Sequence, residues 1–226
     1  MLTTMNLTDL ALHNGAQQKT SELGALIDFL RPHQGRMKTI LEIGSRKGGT
    51  LVVWMLIAAP DATIISLDLP FGLYGGGDFT ADLNNATRFR QGTQQISFIR
   101  GDSHAPQSKV EVEKLLAGRT IDVLFIDGDH SYAGVKQDYD IYSPFVADGG
   151  FVLFHDILFH NLDTACQVDK FWNEVKVGKF HREFIDVNHT LGNGAWGGIG
   201  IIRVDQPVAV TEPGATQMAG NDFSHR

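Results

Sequence analysis

The chain carries a single cysteine, Cys166, among 226 residues. No internal disulfide framework can form, and a reducing setting, the cytoplasm, is expected. Basic residues are not in excess: 19 Lys and Arg against 26 Asp and Glu give a net charge of −7. That balance argues against a nucleic-acid partner held through its phosphates. Long apolar runs are also missing. Leu51 to Ala59 falls well short of the roughly 20 residues that a membrane-spanning helix needs, so no membrane partner is expected. The N-terminus has no basic region followed by an apolar core, so no secretory signal is read. What is present is 42% hydrophobic residues, enough for the core of one domain. The expected layout is a single domain over residues 1–205, with 1–35 as an N-terminal helical cap. Residues 206–226, rich in polar and turn-forming types, are expected to be a disordered tail.

The most informative stretch is Thr39 to Thr50, TILEIGSRKGGT. Ile40 to Ile43 form a short apolar strand ending at Gly44, and the run from Leu51 reads as a buried helix. Strand, glycine turn and helix open a nucleotide-binding α/β unit, where glycines let the backbone approach a ligand. Glu42 lies inside this strand, where a carboxylate is costly unless it finds a partner. A ligand bearing a positive charge and hydroxyls would supply one. A dinucleotide fingerprint needs glycine at the first, third and sixth places, but here these are Gly44, Arg46 and Gly49. A phosphate-binding loop would place Lys after the last glycine, and the sequence gives Thr50.

Further units follow. Ala62 to Asp68 reads as a second strand, with Asp68 at its tip suited to ribose hydroxyls. Leu69 to Asn85 reads as a loop with three consecutive glycines, Gly75 to Gly77, and several aromatics. It is either a substrate lid or a surface insertion. Gln95 to Arg100 is a third strand, ending in Gly101-Asp102-Ser103-His104. Ile121 to Ile126 is a fourth and central strand, ending in Asp127-Gly128-Asp129-His130, with a helix after it to about Val146 and then Asp148-Gly149-Gly150 as a turn. Phe151 to Phe154 is a fifth strand, ending in His155-Asp156. Parallel neighbours lie about 4.8 Å apart, so acids just past their ends converge. Asp127 and Asp156 are such a pair, suited to a hard divalent cation such as Mg²⁺. Leu162 to Val177 reads as a helix, and His181 to Val187 with Gly197 to Val204 as an antiparallel hairpin. The stretch Asn188 to Gly198 between them carries His189, Asn193 and Trp196 toward the substrate. Near the N-terminus, Leu23, Leu26, Ile27 and Leu30 have helical spacing, with Thr20 or Ser21 as the cap.

The pattern E-x-G-x-x-x-G-G-[ST], carried by Glu42, Gly44, Gly48, Gly49 and Thr50, resembles the first motif of class I S-adenosylmethionine-dependent methyltransferases. It is most similar to the metal-dependent, catechol-type O-methyltransferases. Through GSRKGGT, Ser45 included, it is also similar to the cephalosporin hydroxylase and rhamnosyl O-methyltransferase group. The resemblance spans roughly Lys19 to Val204. It implies an α/β, Rossmann-like fold: a mostly parallel seven-stranded sheet with an antiparallel last strand and helices on both faces. It implies an S-adenosylmethionine cofactor held by those residues with Asp68, Asp102, Ser103 and Asp127, the Asp102–Ser103 turn touching the adenine. It implies that Gly15 to Lys19 lies over the cofactor. It also implies a metal at Asp127, His155 and Asp156, although His155 replaces the usual acid. Imidazole suits transition metals better than Mg²⁺, which leaves open Mg²⁺ or Mn²⁺, Zn²⁺ or Fe²⁺, another role for His155, or no metal. His130 stands where related enzymes place their proton acceptor, with an ordinary pKa near 6.5.

The expected activity is O-methylation of a hydroxyl on a small molecule: a sugar, a natural-product scaffold or a catechol-like ring. Catalysis would rest on His130 and Asp127. The alternatives are a metal-dependent hydrolase on the same acid and histidine cluster, a non-catalytic S-adenosylmethionine-binding protein, and a dehydrogenase. The sequence does not decide whether the chain forms a homo-oligomer.

Overall fold

The computed structural model describes residues 2–74, 76–160, 163–186 and 197–205. The expected tail from 206 and the segment with His189, Asn193 and Trp196 lie outside these residues. Seven strands form one sheet: β1 (Thr39–Ile43), β2 (Thr63–Asp68), β3 (Gln95–Arg100), β4 (Ile121–Ile126), β5 (Val146–His155), β6 (His181–Phe184) and β7 (Ile199–Arg203). Their order is β3-β2-β1-β4-β5-β7-β6. β1 to β5 run parallel, while β7 is antiparallel to both β5 and β6. This is the Rossmann-like class I methyltransferase architecture expected from the sequence. The order reverses between β1 and β4, and open sheets of this kind bind ligands beyond that switch point.

Both faces of the sheet are covered, so its central strands are apolar at nearly every position. Ile40, Val123 and Phe125 face one layer, and Leu41, Leu124 and Ile126 the other, following the two-residue period of a strand. The first layer holds α1 (Thr4–His13), α2 (Thr20–Leu30) and α3 (Gly49–Ile57). The second holds α5 (Pro106–Leu116), α6 (Tyr132–Tyr142) and α7 (Val168–Val175). α3 is buried at all but one of its positions, because α1 packs over the side turned away from the sheet. A helix apolar all round needs such cover.

Several expectations are corrected. The N-cap of α2 is Lys19, not Thr20 or Ser21. The Glu22 carboxylate accepts the Lys19 N–H at 2.6 Å, which draws the helix start one residue earlier. A short helix, α4 (Thr80–Ala86), interrupts the expected loop; Leu83 and Ala86 are its only buried side chains, too few to show a periodicity. α5, which was not expected, starts on Pro106 at its first turn. β5 begins at Val146 and runs through Gly149 and Gly150, with an irregular register against β4 between Ile121 and Val123. The expected turn at Asp148–Gly150 is thus part of the strand. α7 begins at Val168 rather than near 162.

The ends of β1 and β4 are locked together. Asp127 N–H donates to the Ile43 carbonyl at 2.9 Å. Gly44 has φ +86°, and a Cβ there would lie 1.9 Å from the Asp127 carbonyl oxygen. Gly44→Ala is therefore expected to destabilise the fold by about 2–4 kcal/mol. Urea denaturation of the two proteins measures the difference.

Candidate functional site

A cavity of about 360 Å³ opens beyond the carboxyl ends of the central strands. The glycine turn lines it at the end of β1. Gly44 and Gly48 have positive φ, and so does Arg46 at +47°. A Cβ on Gly49 would sit 2.1 Å from Ala16 N, so the segment before α2 lies directly over the start of α3. Gly15 to Gln18 form part of the cavity wall, together with Gly44, Ser45, Gly49 and Thr50. Gly48 instead faces Leu83 and Ala86 of α4. Its left-handed backbone starts α3 without a side-chain cap.

Glu42 is fully buried and does not line the cavity. The Thr50 hydroxyl donates to its Oε1, while Oε2 makes no hydrogen bond of good geometry. Burial outweighs the Thr50 bond and pushes the carboxyl up to about 8. The direct partner of Glu42 is thus Thr50 rather than the ligand expected from the sequence, and it is Thr50 that reaches the cavity.

Asp68 lies at the tip of β2 as expected and lines the cavity. Its Oδ1 accepts the Arg46 N–H at 2.9 Å, and its Oδ2 accepts from the Arg100 guanidinium at 2.7 Å. Each carboxylate oxygen has a second lone pair for a ligand hydroxyl. The Arg46 side chain points away from the turn, its guanidinium 5.3 Å from the Phe79 ring centre. At the far side, Asp102 Oδ1 accepts the His104 N–H at 2.8 Å, and the Ser103 carbonyl accepts the Tyr142 hydroxyl at 2.7 Å. His104 joins them on the wall. Its Nε2 lies 3.2 Å from the buried Asp138, whose hydrogen bond raises the imidazole to about 8 against the cost of burial.

Beyond the ends of β4 and β5 the wall is an acid and histidine cluster. His155 Nδ1 is 3.3 Å from Asp127 Oδ1 and 3.4 Å from Asp156 Oδ2. His130 Nδ1 is 3.3 Å from Asp156 Oδ2, and its Nε2 3.5 Å from Asp127 Oδ1. The structure thus brings Asp127, His130, His155 and Asp156 together. It adds two residues that the sequence reading missed. Gln18 Nε2 donates to Asp127 Oδ2 at 2.8 Å. Glu22 Oε1 lies 3.1 Å from His155 Nε2, and its Oε2 accepts the Gly198 N–H at 2.6 Å. The available signal for Glu22 was its spacing: it shares a helix face with the buried Leu26 and Leu30. Asp156 has φ +58°, a strained backbone for a residue other than glycine. Tyr74 from the glycine-rich loop stacks on His130, ring centres 4.6 Å apart.

Electrostatics follow from this crowding. Burial opposes the charge on Asp127 and Asp156, but His155 and His130 outweigh it and hold both carboxyls below their ordinary range. Burial likewise opposes the imidazolium of His130, yet Asp127, Cys166 and Asp156 raise it to about 10. His155 is raised well above its ordinary value by Asp156 and Asp127, again against burial. His130 therefore does not have the ordinary pKa that its sequence position suggested.

Both Glu42 and His130 hold a proton in the folded chain over a pH range where the unfolded chain has lost it. For Glu42 that window runs from 4.5 to about 8; for His130 it runs from 6.5 to about 10. Stability of the free protein is thus expected to fall as pH rises through both windows. Thermal melts across this range check it. Glu42→Gln is expected to flatten the lower limb and His130→Gln the upper; melts independent of pH contradict the assignment.

Comparison with known proteins agrees with this fold. A family profile described as a methyltransferase domain matches residues 41–157. An uncharacterised protein, R132, of Acanthamoeba polyphaga mimivirus is 28% identical over 144 residues, covering 63% of this chain and 62% of that one. The match thus spans less than two thirds of that relative. The crystal structure of the O-methyltransferase TomG from Streptomyces achromogenes, in complex with SAM, has a TM-score of 0.60 at 12% identity, covering 91% of each chain. MycE methyltransferase from the mycinamycin biosynthetic pathway, in complex with Mg, SAH and mycinamycin VI, has a TM-score of 0.58 at 13% identity, covering 94% of this chain and 57% of that one. The profile match, from β1 through β5 and its terminal His155–Asp156, covers the glycine turn and the acid and histidine cluster alike, and the chain belongs to the methyltransferase-domain family.

Proposed function

We propose that the protein is an S-adenosylmethionine-dependent O-methyltransferase acting on a hydroxyl of a small molecule, with help from a divalent cation. The observation that carries this reading is one cavity lined both by the glycine turn and by Asp127, His130, His155 and Asp156.

The cofactor residues fit this reading. Gly44 and Gly49 give close backbone approach, Asp68 offers lone pairs to hydroxyls, and Asp102, Ser103 and His104 offer polar groups where an adenine would lie. Thr50, fixed by Glu42, and Gln18, fixed by Asp127, set the walls between. S-adenosylmethionine supplies an electrophilic methyl group on sulfonium. The chain's part is to hold the acceptor hydroxyl in line with it, and proximity and orientation supply most of the gain.

The cation is supported by the donor atoms. Ligands 2.0–2.1 Å from one ion lie about 3.0–3.4 Å from each other, and the contacts of His155 Nδ1 with Asp127 and Asp156 measure 3.3 and 3.4 Å. Asp156 Oδ1 is buried without a hydrogen bond, a second opening for a cation. Asp127, His155 and Asp156 would hold it, and it would stabilise the developing oxyanion. Mycinamycin VI and Mg accompany MycE, which supports a hydroxylated small molecule and a metal without naming either for this chain.

His130 is the proton acceptor in this reading. Asp127 and Asp156 orient its ring, and Tyr74 covers one face. In the metal-free cluster these carboxylates hold a proton on His130, and a divalent charge on them weakens that hold. Incubation with isotope-labelled S-adenosylmethionine and a panel of sugars, natural-product scaffolds and catechols, read by mass spectrometry, tests the activity. A labelled methyl on an acceptor oxygen is expected. Asp127→Ala is expected to lower that turnover by about 100-fold or more. Unchanged turnover and metal response in Asp127→Ala contradict the role of the cation.

A further inference from the structure

Cys166 is the chain's sole cysteine and is 3% exposed. It precedes α7, and part of its surroundings is the apolar layer beneath that helix. A buried cysteine of this kind is ordinarily inert filler. Here the thiol also has a polar side. Its sulfur lies within 4.8 Å of a His130 ring nitrogen and lines the cavity with His130 and Asp156. Its position is fixed from both directions along the chain. Cys166 N–H donates to the Asp163 carbonyl at 3.1 Å, and Gln167 N–H donates to the His130 carbonyl at 2.7 Å. The second bond holds the thiol beside the loop that carries His130.

His130, Asp156 and Cys166 each present a ligand atom within 4.8 Å of the other two. Asp156 Oδ2 is 3.3 Å from His130 Nδ1, the spacing expected for two donors on one tetrahedral ion with bonds of about 2.0 Å. Asp156 is 6% exposed, and its Oδ1 has no hydrogen-bond partner. A buried carboxylate oxygen without a partner is costly unless a cation or a donor reaches it.

We propose that His130, Asp156 and Cys166 form a site for one thiophilic or borderline divalent cation of the zinc type. The donor chemistry decides the preference. Sulfur is a poor ligand for Mg²⁺, which takes oxygen, whereas thiolate, imidazole and carboxylate together suit Zn²⁺ and Co²⁺. Three protein ligands on a cavity wall leave a fourth position open to a molecule in the cavity, unlike the closed sets of purely structural zinc. This site shares Asp156 with the oxygen-richer set of Asp127 and His155, but not that set's preference, and a cation in it takes up the His130 lone pair, so it is an occupancy alternative to the one drawn for methyl transfer. The assignment does not depend on methyl transfer.

The test uses the full-length, tag-free protein, stripped of metal with a chelator, kept reduced with a phosphine, and titrated with Co²⁺ alone. Absorbance is read in the near ultraviolet, where a thiolate bound to cobalt gives a charge-transfer band. With no second cysteine in the chain, any such band belongs to Cys166. The expected result is a band that saturates at one equivalent, is displaced by Zn²⁺, and survives a large excess of Mg²⁺. Cys166→Ser is expected to lose the band and bind Co²⁺ at least about tenfold more weakly, with its circular dichroism unchanged. Should that variant fail to fold, His130→Gln carries the same comparison. A folded wild-type protein that binds Co²⁺ without a thiolate band overturns the proposal. So does a Cys166→Ser variant that binds Co²⁺ as tightly as the wild type.

Discussion

His155 is the point on which the site depends. One buried imidazole meets Asp127 and Asp156 through Nδ1 and Glu22 through Nε2. Three carboxyl groups, from the ends of β4 and β5 and from α2, would otherwise be crowded in a medium that penalises charge. Removing one member of such a buried set typically costs about 3–5 kcal/mol, because the remaining charges lose their compensation. Glu22 extends the link further, since its other oxygen holds the Gly198 N–H just before β7, and it also caps its own helix at Lys19. A single ring thus joins the N-terminal helices, two central strands and the antiparallel strand.

The same convergence sets the shape of the cavity. Gly44 lets the ends of β1 and β4 approach within a distance that no side chain would permit, so the glycine turn and Asp127 are fixed relative to each other. Gly49 does the same for the segment above it, which Gln18 then ties to Asp127. The glycine turn and the acid cluster are therefore parts of one wall.

What the sequence disclosed and what it hid have a common physical origin. The bounds of β3 and β4 and the end of β1 could be read because each is a short strand ended by glycine or an acid, a purely local pattern. Asp127, His155 and Asp156 were legible for the same reason: parallel strands in this fold deliver their last residues to one edge. Glu22 was not, because its meaning comes from His155, 133 residues away. Arg100, His104 and Cys166 are alike in this respect; each takes its role from a partner on another element. Local signals also failed where they were weak, as in α4 with two buried side chains. The raised pKa of His130 belongs wholly to the assembled cluster, since its cause is two carboxylates and a thiol that meet only in the fold.

Membership of the methyltransferase-domain family, the fold and the cavity all bear on one central claim, that the cavity takes S-adenosylmethionine. Calorimetric titration of the purified protein with S-adenosylhomocysteine, with chelator and then with Mg²⁺ or Mn²⁺, tests it most directly. The account predicts saturable one-site binding in the micromolar range under at least one of these conditions. Absence of binding under all of them would contradict it, and the glycine turn from Gly44 to Thr50 would then be a packing feature alone.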